Sequence, residues 1–119
     1  GSGPRVLRAT VEHAARWNAG MATLAEVEDL RPLIDAACAA AGRDPATLGR
    51  SSEVLVRPAA QPSDEPREPN ELRGSADEIA QAMLAYRPHG IGELQVQLRP
   101  NTLAAVTAFR PVIEAIRAG

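Results

Sequence analysis

The chain contains no lysine, and all thirteen of its basic residues are arginine. Against fifteen acidic residues they leave a formal net charge of -2, and no arginine cluster is dense enough to track a nucleic-acid backbone. Aromatics are scarce too: Trp17, Tyr86 and Phe109 are the only three, whereas single-strand recognition needs stacking platforms. Nucleic acid is therefore not an expected partner. The lone cysteine, Cys38, excludes an internal disulfide and fits a reducing, cytoplasmic compartment. No apolar run approaches a membrane span of about 20 residues, and no signal-peptide pattern opens the chain, so no membrane partner is expected. His13 and His89 stand isolated, without HxxxH, HExxH or CxxC spacing, and no metal site is expected. Nucleophile-elbow and Walker A motifs are also missing.

What remains is patterning. The stretch Leu72 to Leu98 reads as one helix and one strand. Ser75 and Glu78 form an S-x-x-E capping box. Ile79, Ala82, Met83 and Tyr86 recur at helical spacing, and Pro88 with Gly90 ends the helix. Glu93 to Leu98 then alternates: Leu94, Val96 and Leu98 point one way, Glu93, Gln95 and Gln97 the other. That polar row, extended by Arg99, suits either a solvated sheet face or the wall of a pocket.

The rest of the chain supplies similar units. A helix is expected from Pro4 to about Ala15, carrying Val6, Leu7, Val11 and Ala14 on one face. Arg16 to Gly20 is a brief strand or a turn, with Trp17 as a packing residue. Thr23 and Glu26 form a second capping box, opening a helix from Leu24 to Ala41. Its buried stripe is Leu30, Leu33, Ile34, Ala37, Cys38 and Ala41, which makes Cys38 a core thiol. Pro32 predicts a kink or a break in the first turns. Gly42 to Leu48 is a turn with Asp44 capping Pro45. Ser51 to Arg57 is a strand, and residues 59–71, with Pro62, Pro66 and Pro69, form a long exposed loop. Asn101 caps a last helix whose apolar face is Leu103, Val106, Val112, Ile113 and Ile116, kinked at Pro111. Strands joined through helices predict parallel pairing within one α/β domain over residues 1–119.

Gly1, Ser2 and Gly3 precede the first helix. Free backbone N–H groups at the positive end of a helix make an anion site, to which Arg5 and Arg8 add charge. From these residues alone a cloning scar ahead of an ordinary helix is the favoured reading, since a lone GxG is a weak signal.

Three stretches together resemble the C-terminal part of luciferase-like flavin-dependent oxidoreductases. They are Gly1 to Asn18 (the Gly-x-Gly-Pro segment, its helix and the following Trp-Asn), GRDPATL at Gly42 to Leu48, and Leu72 to Ile116 with its G-S-x-x-E-I-A helix, G-I-x-E-L-Q strand and LRPNT. The match departs at Ala15 and Arg16, where the family commonly carries an Asp before Trp-Asn. The resemblance implies a (β/α)8 (TIM) barrel that binds FMN or a deazaflavin coenzyme. It also implies hydride transfer, or monooxygenase chemistry, on a small-molecule substrate. It places the cofactor phosphate at Gly1, Ser2 and Gly3, with Arg5 beside them, and assigns no catalytic residue.

A chain of 119 residues is about half of such a barrel, and a barrel closes only because every strand has two neighbours. Two expectations follow. Either the chain is the C-terminal portion of such an oxidoreductase, inactive alone, with its polar row lining the interior. Or it is a stand-alone, non-enzymatic half-barrel module with a binding or assembly role, whose bare edges are covered by self-association as a homo-oligomer.

Overall fold

The computed structural model describes residues 4–58 and 66–118, with side chains from residue 8 onward in the first helix. Its elements are α1 (Pro4–His13), β1 (Arg16–Asn18), α2 (Leu24–Ala40), β2 (Gly49–Pro58), β3 (Glu71–Gly74), α3 (Ala76–Leu84), β4 (Glu93–Leu98) and α4 (Leu103–Ala118). Short 3-10 turns at Pro45–Thr47 and Arg87–His89 precede β2 and β4.

Both capping boxes form. Thr23 Oγ1 accepts from Glu26 N at 3.2 Å and Glu26 Oε1 accepts from Thr23 N at 3.3 Å. The Ser75–Glu78 pair repeats this with both bonds at 3.1 Å. Each box satisfies two of the backbone donors that a helix start leaves without partners. Asp44 accepts from Ala46 N at 3.0 Å, as its place before Pro45 predicts. Gly90, at φ +88, closes the Arg87–His89 turn in the left-handed region that favours glycine and frees the chain to enter β4.

All strand pairings are parallel, and β2 is the centre of the sheet. Ser51–Val56 of β2 pairs with Glu93–Leu98 of β4. Gly49–Ser51 pairs with β1, and Leu55–Pro58 with β3. Ser51, Leu55 and Val56 thus have two partners each, so β4 holds one edge of β2 while β1 and β3 share the other. Among the described residues β1 and β4 pair with no further strand. The sheet is open, as expected for part of a TIM-like barrel.

One face of the sheet is covered by helices. Val54 and Val56 are fully buried there with Ile79, Tyr86, Ile91 and Val112, and Leu94, Val96 and Leu98 pack against them. A second cluster joins Val11, Trp17, Ile34, Cys38 and Leu48. Cys38 is fully buried and free, the core thiol its stripe predicts. Trp17 is a packing residue, on the helix side of β1.

Several expectations need correction. Glu71, placed at the end of an exposed loop, opens β3 and is buried, as is Asn70 before it. A parallel partner at Leu55 supplies the ladder that the four residues ELRG cannot signal by themselves. Helix α2 runs through Pro32 without the break that was one of the two outcomes expected there, and α4 runs through Pro111 as one helix. In α2 the buried Val27 and Ile34 flank the proline, and packing on both sides outweighs one missing hydrogen bond. Thr102 caps α4 in place of Asn101, its Oγ1 accepting from Ala105 N at 3.2 Å. Leu33 leaves the buried stripe and is exposed. On α4 the core side is Ala105, Phe109, Val112 and Ile116, whereas Leu103, Val106 and Ile113 face outward.

Candidate functional site

The face of the sheet turned away from the helices is polar throughout, with one exception. Strand alternation and parallel register place Arg16 and Asn18 of β1, Ser51, Glu53, Leu55 and Arg57 of β2, Glu71 and Arg73 of β3, and Glu93, Gln95 and Gln97 of β4 on this side. The other side chains of β4 pack on α3 and α4, which fixes the parity. Leu55, the single apolar residue on the polar face, is flanked in register by Glu71 and Gln97 and is fully buried.

At the start of this face Arg16 Nη1 donates to Glu93 Oε2 at 2.7 Å. Asn18 Oδ1 accepts from Gly20 N at 2.6 Å and fixes the chain leaving β1. On the helix side of β2, Ser52 Oγ donates to Gly20 O at 3.0 Å, tying that same exit to the central strand. Arg50 reaches Asp35 of α2 at 2.6 Å on the helix side as well.

Three arginines gather at the end of the face. Arg57 is registered with Arg73 on one neighbouring strand. On the other side Val56 pairs with Leu98, and Arg99, the residue after β4, donates its N–H to Val56 O at 2.9 Å. Like charges set directly across strands repel, and a carboxylate one level below answers them. Glu71 bonds Arg73 Nε through Oε2, and its Oε1 lies 3.7 Å from Arg57 Nη2. The side chains of Glu71 and Arg57 are 2% and 9% exposed, so this pair is held away from water. Arg99 is different: Glu68 lies 3.8 Å away, and both side chains are about half exposed.

Away from this face, Tyr86 is buried and donates its hydroxyl to Ala22 O at 3.2 Å. Burial, helped by the charge of Glu26, pushes its phenol above the ordinary value. The backbone and side-chain hydrogen bonds of Ser75 lower the Glu78 carboxyl below its ordinary value, and Arg67 adds to this.

The sequence-predicted cofactor residues fall outside this description. Gly1, Ser2 and Gly3 lie outside the described residues, and Arg5 is placed in α1 without a described side chain. His13 is solvent-exposed on α1, and His89 contacts Glu28 of α2; neither joins the polar face. Among the described residues no group of three or more His, Cys, Asp or Glu is arranged to hold a metal. Nor is any described helix long and apolar enough to cross a membrane. The polar row of β4 stands where alternation puts it. Sequence reasoning missed Glu71, Arg73 and Arg57 as members of one site. A signal was there: both β2 and β4 end in an apolar residue, then Arg-Pro, at Val56–Pro58 and Leu98–Pro100.

An open parallel sheet, with helices on one side and hydrogen-bonding groups on the other, is consistent with part of a β/α barrel-like fold. The same architecture occurs in an F420-dependent secondary alcohol dehydrogenase solved in complex with an F420-acetone adduct. The TM-score is 0.74 over 98% of this chain, at 13% sequence identity, which shows a shared fold. This chain spans 47% of that enzyme, less than half its length. No protein-family model and no curated protein matches the sequence.

Proposed function

We propose that this chain is the C-terminal part of a luciferase-like oxidoreductase, with a flavin or deazaflavin as its cofactor. The polar sheet face is then one wall of the interior in which FMN or a deazaflavin coenzyme meets a small organic substrate. The observation that carries this reading is the polarity of the sheet. Its apolar face is closed by helices, while a face rich in Glu, Gln and Arg is left open between two bare edges. A hollow of about 410 Å³ runs along the β4 edge at Val96–Arg99, and one of about 290 Å³ along the β1 edge at Trp17–Ala19. Bare edges call for further strands.

A flavin or deazaflavin would supply the ring that carries the hydride. This chain's residues bind and orient: Gln95 and Gln97 offer hydrogen bonds along one strand, and the arginines at the strand ends suit an anionic group. Gly1, Ser2, Gly3 and Arg5 are the residues we assign to the cofactor phosphate. One wall cannot exclude water, so the chain alone is expected to be inactive.

The test is a titration of FMN, and separately of a deazaflavin coenzyme, with the full chain, followed by cofactor fluorescence. Saturable quenching supports the reading; no change with either cofactor removes it. A second reading, a self-associating half-barrel module, is favoured by the outward Leu103, Val106 and Ile113 of α4, next to the free edge of β4. Absence of quenching together with a dimer in sedimentation velocity would support it.

A further inference from the structure

We propose that Arg57, Arg73 and Arg99 form a binding site for an oxoanion, a phosphate or carboxylate group, at the rim of the polar face where the parallel strands end. The inference rests on the oxidoreductase reading only for where the anion comes from, cofactor or substrate.

The argument starts from register. Arg57 and Arg73 are registered on neighbouring strands, and Arg99, the residue after β4, bonds Val56 O on the other side of β2. At about 4.8 Å per strand the three backbone positions span about 10 Å. A sheet bears such a grouping only if negative charge answers it. Glu71 answers two of the three, through Arg73 Nε and the 3.7 Å approach to Arg57. Because Glu71 is buried and its two oxygens are already shared, it holds Arg57 and Arg73 in place and has little left for Arg99. Arg99 has Glu68 at 3.8 Å, an exposed and screened contact. Its guanidinium borders the hollow lined by Gln97 and Asn101, whose side chains add hydrogen-bonding groups. The arrangement is a fixed positive base with one adaptable arm. Guanidinium groups suit this task because their planar N–H forks match the oxygens of a carboxylate or phosphate.

The carboxyl ends of parallel strands are also where barrels of this type assemble their sites from the strand termini. At the other end of the face Arg16 is already closed on Glu93 at 2.7 Å. The two ends of the face therefore differ: one charge pair is complete, and the other end keeps an arginine within reach of a ligand.

Isothermal titration calorimetry of inorganic phosphate into the full chain, at about 0.1 M ionic strength where charges are screened over about 10 Å, tests this directly. Saturable binding is expected, weakened about tenfold or more by Arg99→Gln. Arg99 is half exposed, so this variant keeps the fold. Arg73→Gln is expected to weaken binding as well. Arg16→Gln makes the same charge change about 26 Å along the strand direction and is expected to leave the affinity within about twofold, since it lies beyond the screening distance. Absence of saturation overturns the proposal. So does equal weakening by Arg16→Gln and Arg99→Gln, which would make binding a matter of net charge. Competition then identifies the source. Displacement of phosphate by FMN but not by riboflavin assigns the site to the cofactor phosphate, and binding of phosphate unaffected by FMN assigns it to a substrate anion. If the oxidoreductase reading fails, flavin quenching is lost while Arg99-dependent phosphate binding persists.

Discussion

Arg16 and Glu93 meet at 2.7 Å although β2 lies between their strands. Arg16 is registered opposite Gly49 and Glu93 opposite Ser51, so the arginine crosses over β2 where glycine has no side chain to block it. The contact joins the two edge strands across the sheet's centre. Both side chains are about half exposed, at 51% and 48%. Their pairing therefore orients the polar face more than it stabilises the fold. Arg16→Ala is expected to cost less than about 1 kcal/mol in urea unfolding.

Glu71 is the opposite case. Its carboxylate is buried between Arg57 and Arg73, and removing its charge leaves two guanidiniums near each other without their counter-ion. Glu71→Gln is expected to cost about 3 kcal/mol or more in urea unfolding. A cost no larger than that of Arg16→Ala would mean that solvent reaches the pair.

The alkaline side is governed by Tyr86, the chain's one tyrosine. Burial raises its phenol above 10.0. The native state then holds this proton more tightly than the unfolded chain does. The associated stability is present below pH 10 and is lost as pH rises through the raised native value. Absorbance titration of the phenolate is expected to show a midpoint above that of a free tyrosine. Tyr86→Phe, which removes the bond to Ala22 O, is expected to cost about 1 kcal/mol at neutral pH.

On the acid side the capping box of α3 is the place to look. Ser75 lowers the carboxyl of Glu78 below 4.5. The contribution of the charged form is complete above that value and is lost as pH falls through the lowered one. Ser75→Ala is expected to cost about 1 kcal/mol in thermal or urea unfolding. It should also return the Glu78 titration, followed by carbon NMR, toward its ordinary value.

The outward side of α4 predicts association. Val106→Asp changes a residue that is 53% exposed, so folding stability should move by less than about 0.5 kcal/mol. If the chain self-associates through α4 and the β4 edge, the same variant should lower the sedimentation coefficient of the wild-type species toward that of a monomer.

Much of the frame was legible because its signals are local. The two capping boxes, the Asp44-Pro45 turn, the alternation of Glu93 to Leu98 and the core position of Cys38 depend on residues a few places apart. β3 was not legible: ELRG has one apolar residue and follows a proline-rich run, so only its partner at Leu55–Pro58 makes it a strand. Leu33, Leu103, Val106 and Ile113 were assigned to buried faces because an apolar residue at helical spacing looks the same whether or not a neighbour covers it. Whether α2 breaks at Pro32 stays open in the sequence because local propensity does not include the packing on either side.

By itself the sequence determined the βα alternation and the two-sided character of β4, since both arise from side-chain periodicity along a single segment. Only the tertiary structure decided that Arg57 and Arg73 are side by side, that Arg99 comes to the end of β2, and that Glu71 lies beneath the first two. Those residues are separated in the chain by a loop and a helix, and nothing short of the strand pairing brings their charges together.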